Sequence, residues 1–429
     1  MEYFFVGLRQ AMNSYHYQKQ QLQMEQVSIK SIAAQVQTPF YCYSQTAICD
    51  AYDSYVEQLT SMDTLICFAV KANSNQAILK TMADLGAGAD VVSEGEMRRA
   101  IMAGIPASKI VYSGVAKTQN EMEYALSQNI LQFNIESENE LLLLSKVASS
   151  ANKVVNIAFR INPDVDAKTH AKISTGKSEN KFGIPISKAP AIYQLASTLP
   201  GIQIQGVDVH IGSQLTQLGP FENCFILIKE LVEQLREDGH TINVVDVGGG
   251  LGIDYAEDDS EVPTIESYCA LLKQQFSDLG CKLILEPGRS LVGNSGLLVS
   301  KVIYLKKGEE RTFVIIDAAM NDLLRPSMYD AFHNILPVTE TEEQALYDVV
   351  GPICETGDTF ASTRTMSVMK EGDLVAIESA GAYGAVMSST YNTRLQVPEV
   401  LVKDDQYSVI RERTNYEQLI NQDQLASWQ

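Results

Sequence analysis

Between residues 64 and 289 the chain repeats one rhythm: a short apolar run rich in β-branched and aromatic residues, a polar or glycine break, then a longer stretch at helical spacing. Eight such runs occur: LICFAV (65–70), ADVVS (89–93), IVYSG (110–114), LQFNIE (131–136), VVNIAFRIN (154–162), QGVDVHIG (205–212), INVVDVGGG (242–250) and KLILEPGR (282–289). Strands that read as nearly continuous apolar runs are buried on both faces, and alternation with helices makes them a parallel sheet covered by helices. Eight units predict a closed (β/α)8 TIM barrel, with an open doubly wound sheet as the alternative.

After Arg289 the rhythm changes. SLVGNSGLLVSKVIYLKK, RTFVIIDAA, YDVVGPIC, GDLVAIESAG and PEVLVKDDQYSVIRER are strand-like pieces joined by turns without amphipathic helices between them, which predicts a C-terminal β domain. TPFYCYS (38–44) is a further strand-like piece that could join this domain from the other end of the chain. The expected division is a segment 1–45 contributing to the β domain, a barrel over 46–289 and a β domain over 290–429. The first 30 residues, Gln-rich with Tyr and Met interleaved, are expected to form a surface helix or to be partly disordered.

Composition narrows the function classes. The 429 residues hold 33 Lys+Arg against 53 Asp+Glu, a net charge of −20 that repels nucleic-acid backbones and anionic lipid. No apolar run approaches the roughly eighteen residues of a membrane span and the N-terminus lacks a signal-peptide pattern, so a soluble, cytoplasmic chain is expected. The seven cysteines include no CxxC pair, unlike a disulfide framework or a structural zinc site, and no metal is expected. Most read as buried thiols; Cys354 is set apart below.

Barrel active sites lie at the C-terminal ends of the strands, and the polar residues of these runs collect there. The first run ends in Lys71, the second in Ser93 and Glu94, the fifth in Arg160 and Asn162, the sixth in His210 and Ser213. The seventh ends in GGGLG (248–252), and the eighth in Glu286 and Arg289. Lys71, directly after a buried strand, is expected to be desolvated, its pKa lowered and its neutral amine free to form a Schiff base; the alternative is a lysine snorkelling to solvent. The glycine cluster is either a phosphate nest or a tight turn. His210 is either a hydrogen-bonded core residue or the flat group against a cofactor ring. Glu286 is either the acid at a pyridine nitrogen or a rim residue paired with Arg289, and Arg160 either a ring-oxygen ligand or a structural cation. The constellation carries the signal that no single member does.

In order and spacing, the stretches TPFYCYS, FAVKAN, GAGADVVSEGE, SGVAKT, FNIES, RINPDV, THAKISTGK, NKFGI, HIGSQ, GGGLGI, EPGR, RPSMYDAFH, GPICETGD, SAGAYG, YNTR and PEVLV resemble the fold-type III pyridoxal-phosphate decarboxylases, and among them the branch acting on diaminopimelate. Only the first 25 residues or so fall outside the likeness. It implies pyridoxal 5'-phosphate as cofactor, Lys71 as the lysine that carries it, His210 stacked on the ring, Glu286 at the pyridine nitrogen and Arg160 near the ring hydroxyl. Asp90, Ser213, Gly249, Gly250, Gly288, Arg289 and Tyr383 would complete the cofactor pocket. Arg289, Arg325, Tyr329, Glu355 and Tyr383 would hold substrate, and Cys354 would be the catalytic acid. GPICETGD would enter the neighbouring subunit's site, which implies a two-fold homodimer with shared active sites.

The implied reaction is decarboxylation of meso-diaminopimelate to L-lysine, the last step of lysine biosynthesis. Residue types support that choice over ornithine, arginine or carboxynorspermidine. A non-reacting end with a carboxylate and an ammonium needs one cation and one anion, and Arg325 and Glu355 supply them; a diamine-producing enzyme would leave Arg325 buried and unpaired. A cofactor-free regulator would not need Lys71, Cys354 and Glu286 together, and a class I aldolase-like barrel leaves the glycine cluster and His210 unexplained. Three positions depart from the family's glycines, Gln37, Ala116 and Ala319, each adding side-chain atoms near a turn or strand end.

Overall fold

A computed structural model describes residues 14–167, 169, 170, 175, 180–255 and 262–429. The eight runs become eight parallel strands: Thr64–Ala69, Gly88–Val91, Ile110–Tyr112, Gln132–Ile135, Val155–Asn162, Ile202–Asp208, Val244–Asp246 and Lys282–Leu285. Each pairs with the next, and the eighth returns to the first through Leu283 beside Thr64, so the sheet closes and the open-sheet alternative falls away. Tyr112, Phe133 and Phe159 are among the fully buried large side chains of this core. Helices cover the outside; Gly219–Glu237, for example, buries Phe221, Phe225, Ile228, Val232 and Leu235 along one face.

Several helices start on capping side chains at the strand ends. Asn75, Ser93, Thr118, Ser137 and Thr264 each accept a first-turn backbone N–H, contacts of about 1 kcal/mol apiece. Ser93 therefore serves the helix after it. Glu94 pairs with the exposed Arg98 at 2.6 Å, four residues on.

After the helix Arg289–Val292 the long strand Gly296–Lys307 opens the β domain. Its sheet runs in the order Thr359–Ser367, Gln344–Val350, Thr312–Ile316, Gly296–Lys307, Phe40–Ser44, Glu399–Lys403, Gln406–Arg411. Phe40–Ser44 thus lies between two strands from the far end of the chain, antiparallel to one and parallel to the other, with all five residues buried. Two strands of this domain were not legible in the sequence: Ile335–Pro337 is three residues long, and Thr359–Ser367 is a Thr- and Ser-rich strand with a half-exposed face.

The expectation of a surface helix or partial disorder for the first 30 residues is corrected for residues 14 to 30, residues 1–13 lying outside the described set. Tyr15–Gln18, Gln21–Met24 and Val27–Ser28 form an antiparallel sheet leading into the helix Ile29–Val36. Leu22 and Met24 are buried against Phe40, Cys42, Leu297 and Val400. Strands this short bury so few side chains that polar Gln neighbours mask their period. Gln37, one of the departures from the family glycines, takes φ +63°, a backbone region that favours glycine. No helix among the described residues is long and apolar enough to cross a membrane.

Candidate active site

The first barrel strand ends at Ala69 and runs into the turn Val70–Ala72, which carries Lys71 onto the C-terminal rim. Its Nζ donates to Asp90 Oδ2, in the second strand, at 2.6 Å. The expected lowering of this amine's pKa is reversed. Burial does push it down, but Asp90 and Glu286 outweigh burial and hold the ammonium above the ordinary lysine value. These carboxylates come from other strands, so nothing in the FAVKAN run signals them.

His210 follows the sixth strand, and its Nδ1 accepts the Gly249 N–H at 3.2 Å. Burial, then the charges of Arg160 and Lys71, hold the imidazole well below its usual pKa, so it is neutral. The Arg160 guanidinium pairs with Glu136 at 2.8 Å and donates to the His210 carbonyl at 3.3 Å. The glycine cluster forms tight turns. Gly248 and Gly250 turn the chain with φ +63° and +105°, while a Cβ on Gly249 would stand 2.2 Å from the Glu286 carbonyl and one on Gly250 2.4 Å from that of Gly212. Gly288 is as constrained, a Cβ there lying 3.0 Å from Ala72 and 3.1 Å from Ala69. The loops after strands six, seven and eight therefore meet backbone to backbone.

Beneath the rim, Asp208, Asp246 and Glu286 bring carboxylate oxygens within 4.8 Å of one another, all buried. Glu286 accepts from Asn134 Nδ2 at 3.3 Å and Ser113 Oγ at 3.4 Å, and no ion pair joins it to Arg289 among the described residues. Burial first, then Asp246, Asp90 and Asp208, push the Glu286 carboxyl well above the usual range. Burial also lifts Asp246 to about 7. Asp208 and Asp246 were missed by the sequence reading, yet they carry a signal: each is a lone acid inside an otherwise apolar strand, as Asp90 is in ADVVS.

A stability consequence follows. Unfolded Asp246 would titrate near about 4 and folded Asp246 near about 7, so between those values the folded state holds the extra proton and rising pH favours unfolding. The cofactor-free protein is expected to melt at a higher temperature at pH 5 than at pH 7.5, and Asp246→Asn to narrow that difference. An undiminished difference in the variant would clear Asp246 as its source.

Two buried guanidinium groups face each other's surroundings without a carboxylate partner among the described residues: Arg289, 5% exposed, and Arg325, 6% exposed. Arg289 donates to Ser213 Oγ at 3.1 Å and to the Tyr255 hydroxyl, and its Nε finds no partner. The Tyr383 ring lies 4.8 Å from it, on a residue held at φ +55° whose N–H donates to the Ala72 carbonyl at 2.8 Å. Arg325 lies 5.0 Å from the Tyr255 ring and 5.9 Å from that of Tyr329. A cavity of about 240 Å³ is lined by Tyr255, Arg325, Tyr329, His170 and Phe332. Tyr255, which joins both arginines, was not singled out from sequence; its position after GGGLGID is the one hint.

Cys354 and Glu355 stand apart. Cys354 is exposed, unlike five of the other cysteines, which are buried. Its N–H donates to Asn392 Oδ1 at 3.1 Å, and Glu355 accepts from the Tyr391 hydroxyl at 2.6 Å. Among the described residues, no hydrogen bond or ion pair links this loop to Lys71 or its neighbours. The structure thus gathers Lys71, Asp90, Arg160, His210, Ser213, the glycines, Glu286, Arg289, Tyr383, Arg325 and Tyr329, and leaves Cys354 and Glu355 on an outer surface.

Comparison with known proteins bears on this arrangement directly. Residues 45–293 match the pyridoxal-dependent decarboxylase, pyridoxal binding domain family. A diaminopimelate decarboxylase of Zymomonas mobilis is 48% identical over 408 residues, 94% of this chain and 97% of the relative. Among solved structures, diaminopimelate decarboxylase from Helicobacter pylori in complex with L-lysine superposes with a TM-score of 0.89 at 41% identity, covering 92% of this chain and 98% of that one. The enzyme from M. jannaschii, also in complex with L-lysine, gives 0.93 at 35% identity, covering 97% and 99%. The likeness spans barrel and β domain alike, and the chain belongs to the diaminopimelate decarboxylases of the pyridoxal-dependent decarboxylase family.

Proposed function

We propose that the chain decarboxylates meso-2,6-diaminopimelate to L-lysine and carbon dioxide with pyridoxal 5'-phosphate, as the closing step of lysine biosynthesis. The observation that carries the substrate half is Arg325, a buried cation with no carboxylate partner among the described residues, in a cavity that Gln214 and Tyr255 of the barrel loops also line. Uncompensated buried charge is costly, so the site calls for an anion.

The residues present fit the cofactor. Ser213 Oγ and the partly unpartnered Arg289 guanidinium offer donors for a phosphate, beside glycine loops packed so closely that a Cβ on Gly249 or Gly250 would strike a neighbouring carbonyl. Bound there, pyridoxal phosphate supplies an aldehyde for an amine and a ring that accepts the electron pair released with carbon dioxide. Lys71 is the amine at hand. Asp90, 2.6 Å away, is the carboxylate placed to take the proton that the Lys71 ammonium must give up before the amine can react. Glu286, its carboxyl pushed well above the usual range by burial and by Asp246, Asp90 and Asp208, would hold a proton at the pyridine nitrogen. Neutral His210 would face the ring without adding charge. Arg160 would lie near the ring hydroxyl, and Arg289, Arg325, Tyr329 and Tyr383 would orient the substrate's carboxylates.

The chain reads as a segment 1–45 and a C-terminal part 290–429 that share one β domain, flanking a barrel over 46–289; the pairing of Phe40–Ser44 with Gly296–Lys307 supports this division. Cys354 and Glu355 serve the neighbouring subunit of a two-fold homodimer. Their exposure, their distance in contacts from Lys71, and the exposed Met328, Phe332 and Tyr391 of the same domain support that assignment. In the dimer, Cys354 Sγ of the partner subunit returns a proton to the carbon that has lost carbon dioxide, and Glu355 of the partner subunit faces the distal ammonium.

Adding meso-diaminopimelate to cofactor-loaded protein and measuring carbon dioxide and lysine tests the reading, with ornithine, arginine and carboxynorspermidine in parallel. Turnover of diaminopimelate alone is expected; preference for another amine would overturn the substrate assignment. Cys354→Ala should bind cofactor with unchanged absorbance and lose about 10²-fold or more in kcat. An unchanged kcat would move the proton donor to Lys71 or water. Subunit exchange between Lys71→Ala and Cys354→Ala proteins, both inactive alone, is expected to restore about a quarter of the parental activity, because half the dimers then hold one complete site.

A further inference from the structure

Arg325 is clasped in a way that determines which edge of its guanidinium a ligand can meet. Its Nε–H donates to His333 Nε2 at 3.3 Å, and on the other side of that ring Nδ1 meets the Glu378 carbonyl oxygen at 2.7 Å. A carbonyl only accepts, so the ring hydrogen sits on Nδ1 and Nε2 offers a lone pair. His333 is 1% exposed. The Tyr255 ring packs against it at 78° with centroids 5.1 Å apart, and the Arg325 guanidinium carbon lies 5.0 Å from the same Tyr255 ring. With Nε consumed and the Tyr255 face covered, the terminal Nη1 and Nη2 pair is the edge left without a protein hydrogen-bond partner among the described residues.

We infer that His333 is a positioning residue that aims Arg325 as an end-on fork for a carboxylate, and so sets the preference for an amino-acid substrate bearing a second carboxylate at its far end. The inference rests on the proposed role of Arg325 at the substrate. A side-on approach, through Nε and one Nη, is closed to the ligand because His333 holds Nε. Burial, with the charges of Arg325 and Arg289 nearby, keeps the imidazole pKa down at about 3, so the acceptor persists wherever the enzyme works. A protonated ring would set a donor against a donor.

The test uses cofactor-loaded enzyme. His333→Met fills the volume without an acceptor, and is expected to raise KM for meso-diaminopimelate about tenfold or more, the worth of a hydrogen bond to a charged group. Its kcat should stay within about threefold and its cofactor absorbance should not change. His333→Gln, which returns an acceptor oxygen, should bring KM back toward the parent. Nitrogen-15 NMR of histidine-labelled parent protein, with five histidines to resolve, should show His333 neutral and protonated on Nδ1 from pH 5.5 to 8. An unchanged KM in folded His333→Met, equal loss of kcat and KM in both variants, or an Nε2-protonated or charged His333 would each overturn the inference. Arg325→Met separates the two claims: if it leaves KM unaltered, the substrate reading itself fails, whereas a raised KM there with none in His333→Met sinks the positioning role alone.

Discussion

Lys71→Ala is expected to reduce decarboxylation by at least about 10⁴-fold, the scale of losing a covalent catalytic group, and to abolish the visible absorbance of lysine-bound pyridoxal phosphate. The amine sits on the rim at the end of the first strand, one ion pair from Asp90 and within the field of Glu286. Removing it also leaves Asp90 buried, with one oxygen already unpartnered, so the variant should melt below the parent. Replacing both residues, Lys71→Ala with Asp90→Asn, should recover part of that loss, because no carboxylate is then stranded. Spectra and carbon dioxide release on the same preparation decide the matter. Turnover within about tenfold of the parent would end the assignment of Lys71.

Glu286→Gln is expected to keep the cofactor but lower kcat by about 10²–10³-fold, the range seen when one preorganised electrostatic contact to a developing charge is lost. Gln has the shape of Glu and cannot hold a proton at the ring nitrogen. The same change takes one ionisable group out of the Asp208, Asp246 and Glu286 cluster. Cofactor-free Glu286→Gln should therefore be at least as stable as the parent at pH 7.5, giving lost activity together with unharmed stability. A drop in kcat smaller than about tenfold would pass the role at the nitrogen to Asp246, whose carboxyl lies in the same cluster.

The barrel was legible because its strands are buried on both faces. ICFA within Thr64–Ala69, or FRIN at the end of Val155–Asn162, cannot be mistaken for half-exposed alternation. The polar rim was legible for the related reason that Lys71, His210 and Glu286 interrupt apolar text at strand ends. What the linear reading lacked was company. Whether the Lys71 amine is neutral or charged depends on Asp90 and Glu286, carried by the second and eighth strands, and burial alone gives the wrong sign. Tyr255 and His333 acquire meaning only when the seventh loop and the β domain bring them to Arg289 and Arg325. The sheet at Tyr15–Ser28 escaped notice because its strands are two to four residues long.

The place of Phe40–Ser44 in its sheet sets a schedule for synthesis. Its antiparallel neighbour begins at Gly296 and its parallel neighbour at Glu399, so the segment leaves the ribosome well before either partner exists. At a synthesis rate of about 5–20 residues per second it waits on the order of 10–50 s for the first of them. In the barrel each strand from the second onward meets the preceding one soon after emerging, and only the edge of Thr64–Ala69 that receives Lys282–Leu285 waits comparably. During that interval Tyr41, Cys42 and Tyr43, wholly buried at the end, form a naked strand with two open edges, the substrate that holding chaperones bind and that aggregates recruit. The β domain is thus completed only once Glu399–Lys403 has emerged, and slowing translation between Gly296 and Glu399 should lower the soluble yield without touching the folded enzyme.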